Sequence, residues 1–254
     1  VDTTERIERM DAQVVRTVSA KDEMFNYIRT RMPDVAATET YYFDTGRELA
    51  THLAGYLAEI GLDCRTMHLL DFAAGYGRVT RWLTTLFGSV TMSDLEQEMV
   101  DFQNREFGVD GFVSGADPAQ AAAHPGRYDL VFVFSLFTHL PESTWLQWLA
   151  ALAGLVRPGG HLVFSTHSYE LFAVLNPAQF GDPATWKDEF LFWETNETQG
   201  RLSTAQYGCN IVKETFLRRA VATLPGCALT RRFGMGEFDR YHDINVVAKT
   251  AAGA

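Results

Sequence analysis

Cysteine is scarce in this chain. There are three, Cys64, Cys209 and Cys227, and no two of them form a C-x-x-C pair. A disulfide framework or a structural zinc site needs paired thiols, so no metal site is expected, and a reducing, cytoplasmic setting fits. Positive charge is also short: 22 Lys and Arg stand against 32 Asp and Glu, for a formal net charge of −10. Nucleic-acid binders normally carry a basic patch that neutralises phosphate, so that partner class is set aside. No run of about 18 apolar residues occurs, which argues against a membrane-spanning helix. The opening stretch V-D-T-T-E-R-I-E-R-M is polar and unlike a secretory leader. Internal repeats are absent, and the one low-complexity run is short, A-Q-A-A-A-H at 119–124.

What is present is apolar content enough for one large core, 46% of 254 residues. A single domain is expected over 1–254. Its parts are an N-terminal helical cap (1–62), a cofactor-binding core (63–168), a substrate-side insertion (169–212) and a C-terminal helix with strands (213–254). Residues 4–30 read as one helix closed by Pro33, with Ile7, Met10, Val14, Met24 and Ile28 near one stripe. A second helix is predicted over 47–60, with Gly61 as its stop. Strands and helices then alternate. Strands are expected at 67–72, 89–94, 111–115, 129–134 and 161–166. Helices are expected at 78–87, where Val79, Trp82, Leu83, Leu86 and Phe87 form an apolar face, and from Pro141 to the R-P-G-G turn at 157–160. This alternation predicts an α/β, Rossmann-like, doubly wound sheet. A hairpin between 189–194 and 205–212, a helix at 214–224 and an antiparallel pair at 227–233 and 242–249 complete the reading.

The chemistry concentrates at D-F-A-A-G-Y-G-R, Asp71 to Arg78. A strand ends, and two glycines let a ligand approach the backbone. A helix follows, then a second strand ends in Asp94, whose carboxylate can accept two ribose hydroxyls. A dinucleotide site would read G-x-G-x-x-G, but counting from Gly75 the third place is Thr80. The acid at Asp71 repels a diphosphate and suits a cationic nucleoside such as S-adenosylmethionine, which carries an ammonium and a sulfonium.

On these residues the sequence resembles the class I S-adenosylmethionine-dependent methyltransferases of small-molecule type. Asp71 to Gly77 matches the family's first motif, with Ala73 in place of its first glycine. Y-D-L-V-F-V-F-S-L-F-T-H-L-P-E at 128–142 is similar to the family's fourth strand and following loop, and the R-P-G-G turn and the H-D-I-N-V-V-A-K tail agree. The resemblance implies a seven-stranded sheet with an antiparallel last strand. It implies that Asp71, Ala73, Gly75, Tyr76 and Gly77 surround the methionine part, and that Asp94 holds the ribose. Leu95 would pack on the adenine, with Ala116 and Asp117 near its amino group and Phe134 and Ser135 beside the sulfonium. Tyr42 would lie over the cofactor or simply pack in the core.

Methyl transfer needs alignment of nucleophile, methyl and sulfur, and a base when the nucleophile is a hydroxyl or an ammonium. His167, just after the fifth strand, is the first candidate base; His139, in the T-H-L-P turn, is the second, with a loop-fixing role as its other reading. Eight aromatics lie between Tyr169 and Tyr207, and with Glu189, Glu194 and Glu197 they suggest a small-molecule pocket or a satellite core. The expected activity is methyl transfer to an O or N atom of a small metabolite, possible in biosynthesis. A non-methylating S-adenosylmethionine-binding protein, a nicotinamide-dependent reductase and a homodimeric assembly stay open.

Overall fold

The computed structural model describes residues 3–121, 127–167, 169, 187–195 and 203–251, with side chains from residue 7 onward. It divides into two compact units, 1–115 and 116–254.

The first unit opens with α1 (Thr3–Gln13), α2 (Glu23–Arg29) and α3 (Val35–Glu59). The single helix expected over 4–30 is therefore two, because Asp22 caps α2 by accepting the Phe25 amide at 2.9 Å. The helix expected from residue 47 begins instead at Val35, where Asp34 accepts the Ala37 amide at 2.8 Å. The β-prone T-Y-Y-F run inside α3 is helical because it buries Tyr42 and Phe43. Gly61, in the left-handed region (φ +79°), ends the helix as expected.

Three parallel strands follow: β1 (His68–Phe72), β2 (Ser89–Asp94) and β3 (Asp110–Val113), in the order β3-β2-β1. Between the first two lies α4 (Thr80–Leu83), shorter than the expected 78–87. Beyond Leu83 the chain tightens into i→i−3 bonds, Thr85 N to Trp82 O and Leu86 N to Leu83 O, and the Thr84 and Thr85 hydroxyls donate to carbonyls three residues back. The apolar face still forms, with Trp82 and Leu83 fully buried. α5 (Gln97–Phe107) packs Val100 against Met92 of β2, and Met99 and Phe102 against Tyr76 of the turn after β1.

The second unit holds α6 (Pro118–Ala121), β4 (Tyr128–Val133), α7 (Glu142–Leu155) and β5 (Val156–His167). It continues with β6 (Phe190–Glu194), β7 (Gly208–Val212), α8 (Glu214–Ala222), β8 (Cys227–Phe233) and β9 (His242–Lys249). β4 and β5 are parallel, and β9 and β8 add antiparallel. β5 starts earlier than expected, taking the R-P-G-G stretch into its irregular start. The expected hairpin forms, with Phe190 opposite Val212 and Glu194 opposite Gly208. Trp145, Phe137 and Phe164 are fully buried around α7. Lys249 on β9 donates to the Ala153 and Val156 carbonyls and so caps α7. The two units contribute three and four strands to seven-stranded topology. Among the described residues no helix is long and apolar enough to cross a membrane.

Candidate functional site

In the first unit the end of β1 presents Asp71 and the end of β2 presents Asp94, with the glycine turn beside them. Asp71 is buried, 3% exposed, and accepts the Thr80 hydroxyl at 2.6 Å. Burial pushes its carboxyl up to about 7; the Thr80 bond opposes this, the Asp94 charge adds to it and the Arg78 charge opposes it. Asp94 Oδ2 accepts the Gly75 amide at 2.7 Å, and Oδ1 accepts the Leu95 amide at 2.6 Å. Burial raises this carboxyl as well, while those amides and that of Glu96 work to hold it down. The two acids thus belong to one constellation with the turn, and Leu95 is fixed by the acid before it.

The two glycines have different reasons. Gly75 (φ +58°) has open space where a Cβ would stand, as a close ligand approach requires. At Gly77 (φ +77°) a Cβ would stand 2.3 Å from Phe107 and 2.9 Å from Gln103, so the missing side chain serves packing on α5. Tyr76 likewise turns into the core, edge-on to Phe102 at 5.4 Å. Ala73 sits at φ +58°, the left-handed conformation a glycine would favour. Replacing Ala73 by Gly is expected to stabilise the chain by about 1 kcal/mol, read as a melting midpoint about 2–4 °C higher; an unchanged or lower midpoint would refute strain at this position.

Tyr42 is fully buried. Its ring meets Phe25 and Phe43 edge-on, and its hydroxyl donates to Asp22 Oδ2 at 2.6 Å. Burial and the Asp22 charge raise its phenol. Of the two roles the sequence allowed, this geometry favours core packing. Two residues escaped the sequence reading. Gln103, fully buried, donates to the Gly75 carbonyl at 2.8 Å. Arg81, 1% exposed, donates to the carbonyls of Gly77 and Tyr76. Nothing in the helical periodicity marks either; a polar residue on an otherwise apolar face is the available signal.

In the second unit Ala116 and Asp117 are exposed, and Asp117 accepts the Ala119 amide at the start of α6. Ser135, at the end of β4, is left-handed (φ +67°); its amide donates to Ser165 Oγ at 2.7 Å and its carbonyl accepts from Thr138. Phe134 stacks on Phe132 and meets the His242 ring at 4.7 Å. His139 Nδ1 lies 2.8 Å from the Gly208 carbonyl, and its ring stacks on Tyr207 at 4.5 Å. His167 Nδ1 lies 2.9 Å from the Asn210 carbonyl. A carbonyl can only accept, so Nδ1 carries the proton in both rings. Burial pushes His139 down to about 4, with His242 adding to the fall and the Gly208 bond opposing it. Burial, then the neighbouring His242 and His139, push His167 down to about 3. Both rings are neutral at pH 7. His139 ties the loop after β4 to β7, which supports its loop-fixing reading; Asn210 reinforces the tie by donating to the Phe137 and Leu140 carbonyls.

Of the acids in the insertion, Glu189 pairs with Arg219 and Glu194 accepts the Thr204 hydroxyl. Glu197, with Phe172, Phe180 and Trp186, lies outside the described residues. Among the described residues no group of three or more His, Cys, Asp or Glu is arranged to hold a metal ion.

Strand order, buried acids and glycine turn together define the Rossmann-like fold of the class I methyltransferases, and residues 69–160 match the family model described as a methyltransferase domain. Over 102 residues the chain is 33% identical to a ubiquinone biosynthesis O-methyltransferase of Saccharophagus degradans, covering 39% of this chain and 42% of that protein. Over 128 residues it is 27% identical to a sarcosine/dimethylglycine N-methyltransferase of Halorhodospira halochloris, covering 48% and 44%. The chain thus spans less than half the length of these curated relatives. In structure it is similar to magnesium protoporphyrin IX methyltransferase from Synechocystis with bound S-adenosylhomocysteine, at a TM-score of 0.60, with 16% identity, 97% of this chain and 100% of that one covered. That likeness carries the fold.

Proposed function

We propose that the chain transfers a methyl group from S-adenosylmethionine to an O or N atom of a small metabolite, in a reducing cytoplasm. The observation that carries this is the pair of buried carboxylates, Asp71 and Asp94, on either side of a turn whose Gly75 opens to space. The residues fit the cofactor. Asp71, hydrogen-bonded by a neutral hydroxyl, offers a carboxylate to an ammonium, and Asp94 keeps a lone pair for a ribose hydroxyl beyond those the Gly75, Leu95 and Glu96 amides take. S-adenosylmethionine supplies an electrophilic methyl group on a good leaving group. The chain's own part is to orient it, hold the acceptor in line and exclude water. Both curated relatives are named as methyltransferases, one O and one N, which agrees with the reading at the level of the reaction. The three scattered cysteines, with no C-x-x-C pair, support the compartment.

Calorimetry with S-adenosylhomocysteine tests the cofactor. Product mass tests the reaction: a gain of about 14 Da marks nucleophilic methyl transfer, and any other product from S-adenosylmethionine would point to the non-methylating alternative. Asp71 also sets a pH dependence. Its carboxyl lies at about 7 in the folded chain against 3.8 for the ordinary side chain, so between those values the folded state holds a proton that the unfolded state has released. Stability of the cofactor-free chain from this group therefore falls as pH rises from about 4 to about 7. An ammonium favours the ionised form, so S-adenosylhomocysteine affinity is expected to rise from pH 6 to pH 8 with proton release in the lower part of that range. Asp71→Asn should flatten the profile; an unchanged slope in that variant would exclude Asp71 as its source.

A further inference from the structure

One polar side chain interrupts the buried face of α5. Met99, Val100 and Phe102 are apolar there, and Gln103 beside them is fully buried. Its Nε2 donates to the Gly75 carbonyl at 2.8 Å. A carbonyl can only accept, so the NH₂ end must face Gly75 and the oxygen end must face away. That oxygen, Oε1, is buried and has no hydrogen-bond partner among the described residues. It lies against Gly77, where a Cβ would stand 2.9 Å from both Cδ and Oε1. Both glycines of the turn therefore serve this side chain, Gly75 with its carbonyl and Gly77 with the room its bare Cα leaves. A buried acceptor without a donor costs stability, and Leu or Met would fill a similar space without that cost. The amide is held for the one bond it makes.

We propose that Gln103 is a positioning residue for the ribose-binding acid, acting on Asp94 through Gly75. The proposal rests on the S-adenosylmethionine reading and deepens it. Three observations lead to it, all within the first unit. First, Gly75 links two elements: its carbonyl accepts from Gln103 of α5, and its amide donates to Asp94 Oδ2 of β2 at 2.7 Å. Second, Gly75 is left-handed at φ +58°, and it has no Cβ to steer its torsions. The direction of its amide therefore depends on what holds its carbonyl. Third, the other donors to the Asp94 carboxylate are its chain neighbours, the amides of Leu95, at 2.6 Å, and Glu96. The Gly75 amide is what ties this acid to the turn, so the plane of the carboxylate follows the glycine. Gln103 sets that plane from a third element without itself touching the ligand.

Charged groups reach the same turn from each element around it. Asp94 of β2 meets the Gly75 amide, and Arg81 of α4 donates to the Gly77 carbonyl at 2.9 Å. Asp71 of β1 accepts from Thr80. On α5 itself Asp101 accepts from Gln97, and Glu106 pairs with Arg105. These surroundings make Gln103→Glu a conditional variant. A protonated carboxyl can still donate to the Gly75 carbonyl; an ionised one can only accept, and it would face that carbonyl with a charge. Burial and the Asp94 charge favour the protonated form, and the Arg81 charge opposes them. The variant should keep the relay at low pH and lose it as the carboxyl ionises. Wild type has no such group at this place.

Calorimetry on the full chain tests the relay with two ligands, S-adenosylhomocysteine and 5′-methylthioadenosine, which keeps the ribose and lacks the amino-acid part. Gln103→Leu should weaken both by about tenfold or more. In an Asp94→Ala background the same change should cost less than about threefold, because both substitutions cut one relay. Gln103→Glu should bind S-adenosylhomocysteine about tenfold more weakly at pH 8 than at pH 6, opposite to the rise expected for wild type. If Gln103→Leu does not fold, Gln103→Met, more adaptable in a core, carries the same measurements. A wild-type protein that binds S-adenosylhomocysteine, with Gln103→Leu binding it equally well, overturns the proposal alone. So does a loss that adds in full to that of Asp94→Ala, or one that vanishes with 5′-methylthioadenosine. A Gln103→Glu profile that runs parallel to wild type overturns it too. A wild-type protein that fails to bind S-adenosylhomocysteine removes the cofactor reading and the proposal with it.

Discussion

Replacing Arg81 by Ala is expected to destabilise the chain by about 3–5 kcal/mol, read as a melting midpoint lower by roughly 10 °C or more. The reason is the number of backbone groups one side chain satisfies. Its guanidinium donates to Gly77 O at 2.9 Å, to Val15 O and Thr17 O at 3.0 Å, and to Tyr76 O at 3.3 Å. It also lies against the faces of Tyr42, Phe43 and Phe107, with the guanidinium carbon 4.8–5.4 Å from the ring centroids. Burial pulls its basicity down, opposed by Tyr42 and Asp22. Truncation would take a donor from four carbonyls, of which Gly77 O keeps the residue-81 backbone amide, and leave a cavity at once. Arg81→Lys should recover part of the loss, since a single ammonium cannot reproduce the fork. Limited proteolysis gives a second readout: cleavage should appear between α1 and α2, where Val15 and Thr17 lose their donor. A fall of less than about 1 kcal/mol would show that the carbonyls find other partners.

The second large effect is expected at Asp94. Asp94→Ala should weaken S-adenosylhomocysteine binding about 100-fold or more, on the order of 3 kcal/mol. Two losses combine. A ribose would lose its acceptor, and the Gly75 amide would lose the carboxylate that fixes the turn. Asp94→Asn separates them. An amide oxygen can still accept one backbone N–H, but its NH₂ group meets the Leu95 amide or the ribose as a donor. Binding in this variant should fall between wild type and Ala. Equal affinity in all three proteins would dismiss Asp94 as a cofactor ligand.

The parallel core was legible because its signals are local and periodic. Short strands bounded by turns placed β2 at 89–94 and came within a residue or two for β1, β3 and the continuously apolar β4, and the last two strands matched at both ends. The N-terminal helices were less so. Asp22 and Asp34 are ordinary cap residues, but Asp22 lies inside a stretch whose apolar stripe looks continuous, and Asp34 lies just past Pro33, well before the stripe that marked the next helix. At the site the acids and Gly75 were readable because the chain brackets them with strands. Gln103 was not: it lies 28 residues after Gly75, on α5. Even where a residue was found, its reason could be missed. Gly77 appeared as a ligand-facing glycine, whereas its Cβ direction meets Phe107 from α5, a contact visible only once α5 is placed.

The Gly75 peptide ends in an unusual position for a glycine. Its amide is taken by Asp94 and its carbonyl by Gln103, so the most pliable residue of the turn is anchored at both polar ends before any ligand arrives. Entropy that a loose glycine loop would surrender on binding is surrendered during folding instead. The Gly75 amide should accordingly exchange with deuterium at a rate tied to the unfolding of the surrounding sheet, not to fraying of a surface loop. Ligand association should then resemble docking onto a ready surface, with little slow rearrangement after contact.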